Sequence, residues 1–263
     1  MPTTYAHYRF GQEVKEHLSE EILKIILENE TLYNIGLHGP DILFYYRPIG
    51  FNTINKTGMA LHNTIAMEFF DYGKKKIKKH SDNNVALAYL FGFICHFMLD
   101  SQCHPYINES IKTIPVSHSA MEAEMDRMLM IKDGLDPIKY KPTKHIRSDK
   151  RSDELIALFY PKISPKQIGE TIRSMRRVLN ILVPSNRIKR AFQRFALLLT
   201  GNNHKLSGLV LRAKAIEMCK GSNEFLEKLY NDSVIPTTRL ITEFYEGLEE
   251  DSPLSSRFSK MFK

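Results

Sequence analysis

The sequence predicts an all-α protein, a single multi-helix domain over residues 1–263. Three observations carry that expectation. Apolar residues recur at helical spacing along most of the chain. Strand-type alternation is hard to find, and neither repeats nor low-complexity segments interrupt the pattern. The composition, 43% hydrophobic and 25% charged, is that of a soluble globular protein, and 263 residues suffice to bury a sizeable core.

The elements follow in order. Residues 12–29, "QEVKEHLSEEILKIILEN", place Val14, Leu18, Ile22, Ile25 and Ile26 on one helical stripe. Gly39-Pro40 forbids a continuous helix across 34–50, which reads as a loop. A helix is expected from about Met59 to Lys79, ending in "KKKIKKH". Asn84 can cap the next helix, which carries "FGFICHFMLDSQCHPYI" (91–107) and is limited by Pro105. Residues 118–132 are helix-like, whereas 133–153 read as a long polar loop. Helices are expected at 164–182, at 186–200, near 206–219 and at 222–248, the last broken at Pro236. The final stretch, "SPLSSRFSKMFK", reads as a mobile tail able to touch a membrane surface.

Composition excludes some classes. No apolar run reaches the roughly 18 residues needed to span a bilayer. "MPTTYAHYRFGQEV" has neither a basic start nor an apolar h-region, so a cytoplasmic protein is the expectation, with export by another route left open. Three cysteines are too few for a disulfide framework. On one helix Cys95 and Cys103 stand about 12 Å apart along the axis, which leaves them as small core residues.

The net charge of +7 is uneven: residues 139–214 hold 18 Lys and Arg against 4 Asp and Glu. The chain thus divides into a first half, 1–132, and a basic helical half, 133–263. Such a segment suits an anionic partner, whether phospholipid surface, nucleic acid or phosphorylated substrate. It equally suits basic residues coating the wet faces of amphipathic helices.

The first half carries the candidate chemistry. His96, Asp100 and His104 recur at a spacing of four within an apolar stretch, and so lie on one helix face. A carboxylate in an apolar stripe is costly without a partner. His118 and Glu122 repeat the i,i+4 His-carboxylate pair on another helix, His62 lies on its own, and Asp41 follows Gly39-Pro40. Each alone has an ordinary reading: a core histidine, a turn aspartate, an exposed helix pair. Together, imidazole and carboxylate donors without thiolate suit zinc in a catalytic site. His38, His80, His145 and His204 have no neighbours that raise them above surface or loop histidines.

The order Gly39-Pro40-Asp41, His62, His96-x-x-x-Asp100, His104-Pro105, His118-x-x-x-Glu122 resembles the zinc-dependent phospholipase C family. The fungal single-strand-specific nucleases are its distant cousins. The resemblance covers roughly the first half of the chain and implies an all-α fold around a trinuclear zinc cluster. It implies that Asp41, His62, His96 and Asp100 bind one zinc, with Asp100 bridging to a second. Together with the break at Pro105, it implies that His104 is separated from the face of His96 and Asp100 and joins His118 and Glu122 at a neighbouring ion. It further implies that Asp41 is the general base. Family members also use an N-terminal tryptophan and a nearby histidine. This sequence has no tryptophan. His7 is the substitute histidine, His17 a weaker one, and either two or three Zn2+ ions fit.

A metal cluster lowers the pKa of bound water from near 15.7 to about 7 and neutralises charge on phosphoryl oxygens. The expected function is therefore zinc-dependent phosphoester hydrolysis on a phospholipid or related phosphodiester. A single-strand nuclease or nucleotidase is the alternative, with "LFYY" (43–46) as a surface for stacking bases. A non-catalytic, metal-stabilised binding module is the third reading, and it predicts a closed site.

Overall fold

The computed structural model describes residues 4–50, 52–183, 189 and 210–262. Among them every regular element is helical, and an isolated bridge joins Ile65 to Met261. The helices are α1 (Thr4–Lys15), α2 (Glu20–Glu28), α3 (Glu30–Gly36), α4 (Thr53–His62), α5 (Ala66–Ile77), α6 (Asn83–Ser110), α7 (His118–Lys132), α8 (Lys150–Ala157), α9 (Pro165–Leu182) and α10 (Lys220–Glu249). Short 3-10 turns occupy Gly39–Tyr45, Glu217–Cys219 and Ser256–Ser259.

Helix α6 is the axis of the fold. Every residue from Ala86 to Ser101 is buried, because α1, α2, α3, α5 and α10 pack around it. A helix apolar on all sides needs that kind of enclosure. By length and composition α6 could cross a membrane, but 89% of its apolar stretch is buried inside the protein.

The contact between α3 and α6 is close enough to need glycine on both sides. A Cβ on Gly92 would stand 2.2 Å from the Tyr33 carbonyl oxygen, and one on Gly36 would stand 2.2 Å from that of Tyr89. Backbone cannot swing aside as a side chain can. Gly92→Ala is therefore expected to cost about 3 kcal/mol, lowering Tm by roughly 6–12 °C. A thermal scan checks this, and an unchanged Tm would mean the two backbones do not touch.

Several expected boundaries shift. The 12–29 stripe is two helices, because the chain turns at 16–18 and Ser19 caps α2 by accepting from the Ile22 amide. Residues 59–79 likewise divide at 63–65, between α4 and α5. Asp82, not Asn84, holds the N-cap position of α6. The loop expected over 133–153 ends early, because Asp149 caps α8 through the Ser152 amide. The helices expected at 118–132 and 164–182 are α7 and α9. The helix expected at 186–200 lies outside the described residues except for Lys189, as do 206–209. Of the rest of the helix expected near 206–219, only Glu217–Cys219 is helical, as a short 3-10 turn.

Two expected proline breaks do not occur. Both α6 and α10 continue through Pro105 and Pro236. Each proline is exposed, so its ring lies on the solvent side of a helix whose other face is anchored in the core. In α10 the carbonyl that Pro236 leaves unbonded belongs to Asp232, also exposed and open to water. The tail, too, is not loose. Phe258 and Phe262 are buried, and the Ala66 amide donates to the Lys260 carbonyl at 3.0 Å.

Candidate metal centre

Local sequence explains how each donor arrives. Gly39 has φ +47°, a left-handed conformation that glycine adopts freely, and a Cβ there would lie 2.2 Å from His96 Cδ2. The glycine thus lets the chain pass against the His96 ring and turn, through Pro40, into the 3-10 segment that presents Asp41. Asn52 caps α4 through the Ile54 and Asn55 amides, and His62 closes its last turn. His62 Nδ1 donates to the Gly58 carbonyl at 2.8 Å, which leaves Nε2 to face inward. Ser117 caps α7, whose first residue is His118. His118 Nδ1 pairs with Asn108 Oδ1 at 3.0 Å.

The eight candidate residues meet in one place between α1, the Gly39–Tyr45 turn, α4, α6 and α7. Asp100 sits at the middle. Its Oδ2 lies 3.1 Å from His96 Nε2 and 4.0 Å from His62 Nε2, and its Oδ1 lies 3.2 Å from His7 Nε2 and 3.5 Å from His104 Nε2. Asp41 Oδ1 is 2.9 Å from His62 Nε2. Glu122 Oε1 is shared by His104 Nε2 at 3.2 Å and His118 Nε2 at 3.1 Å.

His104 departs from expectation. With no break at Pro105 it stays on the face of His96 and Asp100, one turn on, and stands between Asp100 and Glu122. His17 is exposed in the turn after α1 and takes no part.

These residues fit a metal. Asp41 Oδ1, His62 Nε2, His96 Nε2 and Asp100 Oδ2 are all buried, yet none has a hydrogen-bond partner among the described residues. They lie within 2.9–4.0 Å of one another in pairs but are not aligned to share protons. Orphaned buried donors cost about 1–3 kcal/mol each, and convergence on a cation removes that cost. Three sets of donors lie close enough to hold an ion: Asp41, His62 and His96; His7, His96 and Asp100; His104, His118 and Glu122. Thiolates are absent from all three. Burial pushes the Cys95 thiol up to about 12, and Cys103 is likewise buried and raised.

Electrostatics without metal follow from this crowding. Burial works against charge on His104, but Asp100 and Glu122 outweigh it and raise the imidazolium to about 9. His7 and His62 are also raised, against burial, by Asp100 and Asp41 respectively. Burial dominates at His96, which is lowered. Burial would raise Asp100 and Glu122, but the surrounding histidines hold both below the usual carboxylate range.

Two further features escape sequence reading. Asp126, one turn beyond Glu122 on α7, accepts the Tyr5 and Ala6 amides at 3.2 and 2.8 Å and so fastens the start of α1, which carries His7. Burial raises Asp126 to about 7, against those two bonds. His38 and His145, read as ordinary, pair through their Nε2 atoms at 2.8 Å, and His145 stacks on Tyr8 at 4.0 Å. This holds the 133–149 loop against α1. Burial depresses both, His145 to about 3.

In the aromatic run at 43–46 only Phe44 is half-exposed. Tyr45 and Tyr46 are buried, and the Phe44 ring centroid lies 5.3 Å from that of His62. On α9 the basic residues Arg173, Arg176 and Arg177 are exposed, as expected for a solvated helix face.

The family model for zinc-dependent phospholipase C matches residues 6–178, well over half of the chain. The chain belongs to the zinc-dependent phospholipase C family. The matched span contains all eight donors of the centre, and α10 with the segment after it lies outside the span. A search of curated proteins and of solved structures finds no match. For a family defined by zinc, the orphaned nitrogen and carboxylate oxygens are the expected ligand chemistry.

Proposed function

We propose that this chain is a zinc-dependent phosphoester hydrolase acting on a phospholipid or related phosphodiester. The observation that supports it most is the convergence of four buried donors without hydrogen-bond partners. In this reading Asp41, His62, His96 and Asp100 hold one ion. His104, His118 and Glu122 would hold a second, with Asp100 placed between the two sets of donors. His7, against Asp100 and stacked on His96 at 4.4 Å, is the donor available to complete the second ion or bind a third. Bound there, zinc supplies water activation and neutralisation of phosphoryl charge.

The chain's own groups do the rest. Asp41 is the proton acceptor for the attacking water. Asp100 and Glu122 keep the histidines oriented with their Nε2 atoms inward. The apolar wall around α6 excludes bulk water and strengthens each electrostatic contact. Substrate enters at the His118 edge: that side chain is 29% exposed, whereas those of Asp100 and Glu122 are nearly sealed. An open edge favours hydrolysis over the closed site of a binding module. The inward-facing Tyr45 and Tyr46 leave 43–46 poor as a platform for bases, which favours a phospholipid over single-stranded nucleic acid.

The test is elemental analysis of the purified protein, with parallel assays on a phosphocholine ester, single-stranded DNA and a nucleotide. Zinc at two or three ions per chain, with turnover of the phosphocholine ester, is expected. Asp41→Asn should lower kcat by about 10²–10⁴-fold. Absence of zinc, or zinc without turnover of any substrate, would overturn the reading.

A further inference from the structure

The chain after α10 folds back along α5 and α6. Its contacts are specific: Lys78 pairs with Asp251, Lys74 donates to the Ser252 carbonyl, and Arg257 donates to Ser101 Oγ at 2.7 Å. Phe258 packs with its ring centroid 4.4 Å from that of Phe70. The chain then pairs with Ile65 and Ala66, next to α4 and its His62. This delivers Phe262, 1% exposed, to the wall of the metal centre.

There Phe262 packs against both histidines of the Asp41 set. Its ring centroid is 6.0 Å from that of His62 and 6.2 Å from that of His96. Phe97 and Phe93 back it at 5.2 and 5.8 Å.

Histidine ligands usually owe their orientation to a hydrogen bond from the second ring nitrogen. His62 has one, to the Gly58 carbonyl. His96 has none: Nδ1 is buried and without a partner among the described residues. Apart from Asp100 at Nε2, its ring is held by packing, with His7 stacked at 4.4 Å, the bare Gly39 against its edge, and Phe262 and Phe93 alongside.

We infer that Phe262 is a positioning residue for the metal centre, supplying by ring packing the orientation of His96 that a hydrogen bond supplies at His62 and His118. The inference rests on the metal-binding reading above. It adds a component beyond residues 6–178, where the family match ends.

The test compares Phe262→Ala, Phe262→Leu and Phe258→Ala in the full chain. Each is titrated with zinc against a chelator and with Co2+, whose visible absorption reports ligand geometry. Phe262→Ala should raise the zinc Kd about tenfold or more and change the cobalt spectrum. Phe262→Leu keeps an apolar plug and folds even where alanine does not. Without the flat ring it should still shift the spectrum, by less. Phe258→Ala should lower the Tm of the metal-free protein and leave the cobalt spectrum intact.

An unaltered Kd and spectrum in both Phe262 variants would overturn the inference, as would a Phe258→Ala spectrum that shifts like that of Phe262→Ala. Wild-type protein that binds no zinc would instead overturn the metal-binding reading, and this inference with it.

Discussion

Asp100→Ala is expected to remove essentially all bound zinc, whereas Glu122→Ala should remove only part. The two oxygens of Asp100 face different donors, His96 and His62 on one side, His7 and His104 on the other. No other carboxylate among the eight touches both groups. Glu122 serves only His104 and His118, so its loss leaves the Asp41 set intact. Zinc per chain after gel filtration, by elemental analysis, separates the two variants. Equal losses would mean that Asp100 does not join the groups. Loss of the shared ligand should also reduce hydrolysis by more than two decades, since the water-activating chemistry goes with the ions.

Metal removal should matter more as pH rises. In the metal-free protein His104 is raised to about 9, and His7 and His62 are raised as well. A histidine held above its unfolded value near 6.5 contributes stability in full below that pH and loses it as pH climbs toward 9. For His104 the shift corresponds to on the order of 3 kcal/mol. Zinc requires the same nitrogens unprotonated, so its affinity moves the opposite way and strengthens over that interval. Thermal scans with EDTA and with zinc at pH 6, 7.5 and 9 should show a gap in Tm that widens with pH. A gap that narrows would contradict the protonation states drawn from the geometry.

Much of this centre was visible in the chain itself, because its donors come at helical spacing. His96, Asp100 and His104 share a face of α6, and His118 with Glu122 shares one of α7. Gly39-Pro40 announced a turn, and the structure shows why glycine must stand there, against the His96 ring.

What stayed hidden depends on packing between distant segments. Asp126 reads as one more polar residue on α7 until α1 sets its first amides upon it. Phe262 lies 166 residues from His96, and no local pattern reports that contact. The continuity of α6 and α10 through Pro105 and Pro236 is hidden for a related reason. Whether a proline breaks a helix depends on whether its side faces water, which is a property of the assembled fold. The division of 12–29 and 59–79 into four helices likewise rests on short turns that the apolar stripes run straight across.

The uneven sealing of the centre would set how long bound ions stay. Seven of the eight donor residues are 6% exposed or less, and only His118 reaches solvent. An ion at His104, His118 and Glu122 can trade places with the medium by a swing of one imidazole. An ion at Asp41, His62 and His96 has no such door, and leaves only when the packing around α4 and α6 loosens. Isotopically labelled zinc should therefore wash out in two phases, the slower one keeping pace with amide exchange in α6 and not with chelator concentration.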